Sequence, residues 1–336
     1  MKRSLILLLL FAALALLIVF ALGAGRYPVS MLDTASFLWA YALGRDTPDT
    51  ALMQSLIFDI RLPRILAAVL IGSALAVCGA VFQAMFVNPL VSPGLLGVLA
   101  GAGFGAALGM VFSDSWLAVQ VMAFGFGFAA VGVALGLAAL FGRGPGGMLV
   151  LVLGGVISGS LFTALLSILK FTADPYDKLP AIVYWLMGSL SLATAPTIGT
   201  LIGPMMISLA FLVLMGKLFN VMSLGEEEAR SLGINTTVVR LSAIVLATAL
   251  SAMTVVLAGI IGWVGLVIPH IVRMILGPDN RWLLPGCALF GGLFLLAVDT
   301  AGRSLFPTEI PVGILTSLIG IPIFALVLKN AKKGFA

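Results

Sequence analysis

Few side chains in this sequence could carry chemistry, and each has a narrow range of uses. His270 is the one histidine, and no Cys or His stands near it at ligand spacing, which argues against a metal site. Cys78 and Cys287 sit inside apolar runs and read as small core residues, with no disulfide or metal pairing implied. Ser158 and Ser160 lie in the small-residue stretch GGVISGS, where a serine more often permits close helix packing than acts as a nucleophile. No nucleophile–base pair stands out, so an intramembrane enzyme is disfavoured and no catalytic residue is assigned. Gly216-Lys217 is followed by Leu218, so the phosphate-binding G-x-x-x-x-G-K-[ST] pattern is missing and ATP should not bind this chain through a P-loop. The densest charge lies in SLGEEEARSLG, residues 223–233. There Glu226, Glu227 and Glu228 suit the positive end of a helix dipole, with Ser223 as a candidate cap. Arg230 stands at i+4 from Glu226 and Gly233 is a natural stop.

These groups are held by a chain that is 61% hydrophobic and only 9% charged over 336 residues. A soluble domain would carry about a quarter charged residues. Apolar runs long enough to cross a bilayer recur from end to end, without the alternation of barrel strands. The reading is a single all-α polytopic membrane domain over 1–336 with ten segments: 4–24, 63–86, 93–112, 116–141, 148–170, 195–219, 238–260, 263–276, 282–301 and 311–329. The first apolar run is about 19 residues, long for a signal peptide, and is read as a retained span. The eighth is short and is expected to be interrupted by Pro269.

With the N-terminus inside, eleven cations fall inside (Lys2, Arg3, Arg143, Lys217, Arg230, Arg240, Arg273, Arg281, Lys329, Lys332 and Lys333) and seven fall outside. Nine of the thirteen acids also fall outside, and the bias favours both termini in the cytoplasm. That places 223–233 in the cytoplasm, as a solvated loop helix or a docking element. The net charge of +5 is assigned to orientation, and no basic, aromatic-interleaved patch suggests nucleic acid. Every acid falls in a loop or near a segment end, Asp299 and Glu309 being nearest to exceptions, whereas ion-coupled carriers usually place carboxylates mid-membrane. Both absences point to energy from another subunit. A stand-alone secondary carrier or channel is the alternative.

Three stretches together resemble a known family: RLPRILAAVLIGSALAVCGAVFQAMFVNPLVSPGLLGVLAGAG (61–103), SLGEEEARSLGINTTVVR (223–240) with GIIGWVGLVIPHIVRMILGPDNR (259–281), and PTEIPVGILTSLIGIPIFALVL (307–328). The chain is similar, from about residue 55 onward, to FecCD permeases of type II ABC importers, which take up iron–siderophores, haem, cobalamin or molybdate. The resemblance implies a homodimer in the inner membrane, with ten helices per subunit and both termini cytoplasmic. It also implies two ATPase subunits, which hold the ATP and Mg, and a periplasmic or lipid-anchored binding protein. No cofactor is implied for this chain. The coupling helix would comprise Leu224, Gly225, Glu226, Glu227, Glu228, Ala229, Arg230, Ser231, Leu232 and Gly233, in a loop reaching 234. Arg61, Arg64 and Arg303 would meet glutamates of the binding protein; the alternatives are lipid-phosphate anchoring or a local pair with Asp59 or Asp299. Asn88, Pro89 and Leu90 match a cytoplasmic gate, the other reading being a simple turn. Gly147 and Met148 match a second constriction loosely, since the family often has small hydroxyl residues where Met148 stands. Phe171, Tyr176 and Tyr184 are expected near the outer mouth, as membrane anchors more than ligand contacts.

Overall fold

The computed structural model describes residues 2–25, 27, 29–45, 50–142, 147–305 and 308–331. Of the cations used for orientation, Arg26, Arg143, Lys332 and Lys333 lie outside these residues. Among the described residues the chain is helical, with no strand. In order come α1 (Lys2–Gly23), α2 (Met31–Ala42) and α3 (Thr50–Gln54), which passes through a π-helical turn (Ser55–Arg61) into α4 (Leu62–Met85). Then follow α5 (Val98–Phe112), α6 (Trp116–Phe141), α7 (Gly147–Thr172), α8 (Lys178–Leu186), α9 (Ala195–Leu214) and α10 (Gly216–Met222). The last are α11 (Glu226–Ser231), α12 (Thr236–Ala258), α13 (Val264–Leu276), α14 (Asn280–Leu305) and α15 (Val312–Ala331).

Most apolar runs form helices close to their expected bounds, with three corrections. The run at 93–112 opens as a 3-10 turn (Pro93–Leu96), then reverses at Gly97, φ 85°, so α5 is shorter than expected. The run at 195–219 breaks at Met215 into α9 and α10. Pro269 does not interrupt its segment: α13 is continuous, with Pro269 buried inside it. Having no N–H, Pro269 cannot donate to the Gly265 carbonyl one turn earlier. That oxygen lies so close to Gly79 that a Cβ there would stand 1.7 Å from it.

Such close approaches organise the core. Between apolar helices in lipid, small residues let backbones meet and packing replaces the missing hydrophobic drive. α4 is buried along nearly its whole length. It meets α14 through Gly72 against Gly291, and α12 through the Cys78 thiol, 3.7 Å from the Ala247 carbonyl. Gly101 and Gly105 seat α5 on α6 against the backbone at Phe126 and Met122. The helices around this core, α1, α6, α7 and α9, leave large apolar side chains uncovered, such as Leu8, Leu117, Ile157 and Ile207.

Two ends are defined by charge. Arg3 lies 4.0 Å from Asp279, which places the start of α1 beside the α13–α14 turn and α10. At the opposite end Arg64 joins Asp299 and Glu309. α2 stands outside the expected segments: a short helix closed by a Ser30–Asp33 capping box, with Phe37 and Tyr41 packed on Phe58.

Candidate coupling, gating and docking sites

At the Arg3 end, α11 forms where the glutamates were expected to start a helix, but its cap is different. Gly225, φ 116°, occupies the N-cap position, while the Ser223 hydroxyl donates to the Asn220 carbonyl at 2.7 Å. Ser223 therefore closes α10 and does not cap α11, because α10 runs further than the sequence suggests. Glu226 is gripped twice: Arg230 donates to one oxygen and Arg240 to the other, each at 2.6 Å. The bonded Arg240 guanidinium, helped by Arg230, holds the Glu226 carboxyl below the usual carboxylate range. Gly233, φ 80°, ends the helix, with Ile234 N–H bonded to the Ala229 carbonyl. Ala229 faces inward and is buried. Outward stand Glu227, Glu228, Ser231, and two large apolar side chains, Leu224 and Leu232, 60% and 62% exposed.

The element is tied to the membrane helices at both ends. Asn220 donates to Asp279 at 2.7 Å and accepts from Asn280 N–H at 2.7 Å, joining α10 to the α13–α14 turn. Asp279 also takes Arg281, whose hydrogen bond is the main cause of a strongly depressed carboxyl pKa. On the far side Asn235 caps α12. A cleft of about 660 Å³ is lined by Glu226, Glu227, Glu228, Arg230, Arg240, Gly142 and Gly147. Gly147, expected at a constriction, thus shares this cleft with the α11 glutamates. Met148 follows it, half-buried against the main core.

Asn88, Pro89 and Leu90 form an exposed turn after α4, with Asn88 Oδ1 accepting Leu90 N–H at 2.9 Å. The Pro89 carbonyl lies 2.9 Å from Nε2 of His270 on α13. Neither His270 nor Arg273 carries a sequence signal for a site role; the one available is Gln83, a polar residue within an apolar run, which the structure places against Arg273.

At the Arg64 end the three arginines expected to reach a binding protein are turned inward. Arg61 is 3% exposed and donates to the Leu22 and Tyr27 carbonyls. Arg303 is 6% exposed, donates to the Ala21 carbonyl at 2.7 Å and lies 3.6 Å from Asp299. Arg64 makes a two-pronged contact with Asp299, at 2.8 and 2.9 Å, and a third bond to Glu309 at 3.0 Å. For Arg64 the local pair with Asp299 is the arrangement found, while Arg61 and Arg303 lie against the carbonyls closing α1. Those carbonyls carry the negative end of a helix dipole, a suitable counter-charge for two buried cations.

Along α7 the small-residue reading of Ser158 fits: its hydroxyl donates to the Ala130 carbonyl of α6 at 2.6 Å. Ser160, Thr163 and Ser167 face a groove of about 590 Å³ shared with Gly97 and Gly159. Phe171, Tyr176 and Tyr184 are exposed.

Comparison with known proteins places this architecture. The model of the FecCD transport family matches residues 13–330. The molybdate import system permease protein of Haemophilus influenzae is 38% identical, over 94% of this chain and 93% of that protein. The hemin transport system permease protein of Yersinia pestis is 36% identical, over 95% of each. A solved structure described as an inward-facing metal-chelate type ABC transporter superposes with a TM-score of 0.86 at 37% identity, covering 97% of this chain and 99% of that one.

Proposed function

Since the chain belongs to the FecCD transport family, we propose that it is the membrane subunit of an ATP-driven importer whose cargo is a metal chelate, haem, a corrinoid or a molybdate-type oxyanion. Its relatives carry cargoes of these classes in their names. Two copies enclose the pathway, two ATPase subunits bind the Arg3 end, and a substrate-binding protein loads the opposite end from outside the inner membrane. Ten spans with both termini cytoplasmic are part of this reading; among the described residues, seven long apolar helices together with α5, α13 and α15 support it.

The observation that carries this reading is α11. A six-residue helix standing free would not persist, because nucleation is costly and short helices are marginal. Here Arg230, Arg240 and the buried Ala229 brace it, while Leu224, Leu232, Glu227 and Glu228 point away from the chain. A rigid knob with an apolar and acidic surface, fixed to two membrane helices, suits the transmission of a rigid-body push from a nucleotide-dependent partner. ATP binding in the partner would move this knob and shift the two subunits between access states. At the other end the buried arginines serve docking indirectly, by holding α1, α4 and α14 together beneath the binding protein.

The test is reconstitution with the ATPase and binding protein encoded beside the gene. ATPase activity should rise when the binding protein is loaded with one of ferric siderophore, haem, cobalamin or molybdate. Glu227→Lys with Glu228→Lys should abolish that rise without lowering the yield of inserted protein, because both side chains are exposed. An unchanged response would remove α11 from coupling. Uptake by the permease alone down an ion gradient would establish a secondary carrier instead.

A further inference from the structure

The turn after α4 is not in a conformation its own residues favour. Asn88 N–H bonds the Gln83 carbonyl at 3.1 Å, a helix-ending arrangement that places Val87 at φ +46°. That position ordinarily belongs to glycine. For a β-branched residue it is an outlier, and such strain persists only where the surroundings over-determine it.

The surroundings are supplied from far along the chain. Gln83 is buried in the last turn of α4. Its Oε1 accepts from the Arg273 guanidinium at 3.0 Å, and its Nε2 lies 3.4 Å from the Leu266 carbonyl and 3.5 Å from that of Val91. His270, one turn before Arg273, reaches the Pro89 carbonyl at 2.9 Å. A carbonyl only accepts, so Nε2 carries the proton in this contact. The imidazole is braced by Phe324 of α15, ring centres 5.8 Å apart. Ordinary helix capping needs neither side chain. The Asn88 and Leu90 bonds already close the turn locally, yet two groups of α13 grip both its sides.

We propose that Gln83, His270 and Arg273 are positioning residues forming a clamp by which α13 holds the 86–92 turn in its strained arrangement. The functional half of this proposal rests on the reading of Asn88–Leu90 as a gate. The other end of α13 meets the Asp279 turn, which Asn220 bonds to α10, next to the coupling element. Displacement of α11 thus has a contiguous bonded route to the gate, through Asn220, Asp279 and α13. Release of the His270 and Arg273 contacts lets the strained Val87 turn relax, so the gate has two discrete arrangements.

The experiment places a nitroxide on Leu90→Cys in the permease bound to its ATPase subunits. Leu90 is exposed, whereas Cys78 and Cys287 are fully buried and should not label. His270→Phe keeps a ring beside Phe324 and removes the donor; Arg273→Met removes the second grip; His270→Gln restores an N–H at similar reach. The nitroxide should be restricted in the parent, mobile in the Phe and Met variants and restricted again with Gln. The ratio of mobile to restricted nitroxide should rise about fivefold to tenfold in the first two, the population shift that losing one hydrogen bond gives. A nitroxide equally restricted in all variants would overturn the clamp. Mobility with the cargo-stimulated ATPase rate unchanged would support the clamp and overturn the gate reading beneath it.

Discussion

Replacing Arg64 by alanine separates a structural role from a docking role by size of effect. The Asp299 side chain is fully buried and receives bonds from Arg64 at 2.8, 2.9 and 3.1 Å, with Arg303 further off at 3.6 Å. Removing Arg64 leaves that carboxylate with only the longer contact, and takes from Glu309 its bond at 3.0 Å. Breaking a buried pair from one side costs about 3–5 kcal/mol, because a desolvated charge is left behind. Retention of Arg303 argues for the lower end, about 3 kcal/mol, or roughly a hundredfold in the folded-to-unfolded ratio. An exposed arginine waiting for a partner protein would cost about 0–1 kcal/mol. Arg64→Ala, Asp299→Ala and the double variant can be compared by unfolding in mixed micelles with rising SDS, followed by tryptophan fluorescence. The double variant should lose clearly less than the sum of the singles, since the two groups share one interaction. A single-variant loss under about 1 kcal/mol, with additive effects, would refute the inward-facing account and return Arg64 to the outer surface.

Two further outcomes follow from the geometry. Gly79→Ala should lower the thermal midpoint in detergent by several degrees, since its Cβ would stand 1.7 Å from the Gly265 carbonyl and overpacking costs about 1–3 kcal/mol. Gly132→Ala, with nothing within 4 Å of its Cβ, should leave the midpoint unchanged or slightly raised; equal losses at both sites would contradict the close α4–α13 contact. The Glu226 carboxyl is depressed, so its pairing contributes fully above the ordinary value of about 4.3 and is lost as pH falls through the lower folded value. Amide exchange over 226–234, corrected for intrinsic rates, should therefore stay slow from pH 7 to about 5 and quicken below about 4. In Glu226→Gln that acid-dependent step should be absent.

What could be read in the sequence was local. The apolar runs gave the spans because lipid demands unbroken helix, and α6 was bounded correctly at 116–141. Within SLGEEEARSLG, the Glu226–Arg230 pair and the Gly233 stop depend only on helical spacing, and both are present. Contacts with a partner far along the chain are not legible in this way. For Arg61 and Arg303 the acceptors are the backbone carbonyls of Leu22, Tyr27 and Ala21, and a carbonyl leaves no trace in residue type. His270 has no metal-ligand partner at sequence spacing, and its contact is again a carbonyl, 181 residues earlier. Ser223 has a capping residue's chemistry, yet α10 claims it first. α2 is not legible as a span, because it is too short to cross a bilayer and carries no long apolar run.

The bonds closing the end of α1 also bear on how the chain is made. Leu22 and Ala21 accept from Arg61 and Arg303, and the second of these is translated 282 residues after its acceptor. At about 5–20 residues per second, the first helix waits for roughly 15–55 s before its final anchor arrives. Through that interval it is held by the Arg61 bond and by its composition, and it is the most apolar of the long spans. α14 can afford Asp299 and Arg303 for the opposite reason: when it inserts, Arg64 and the α1 carbonyls are already in place to receive them.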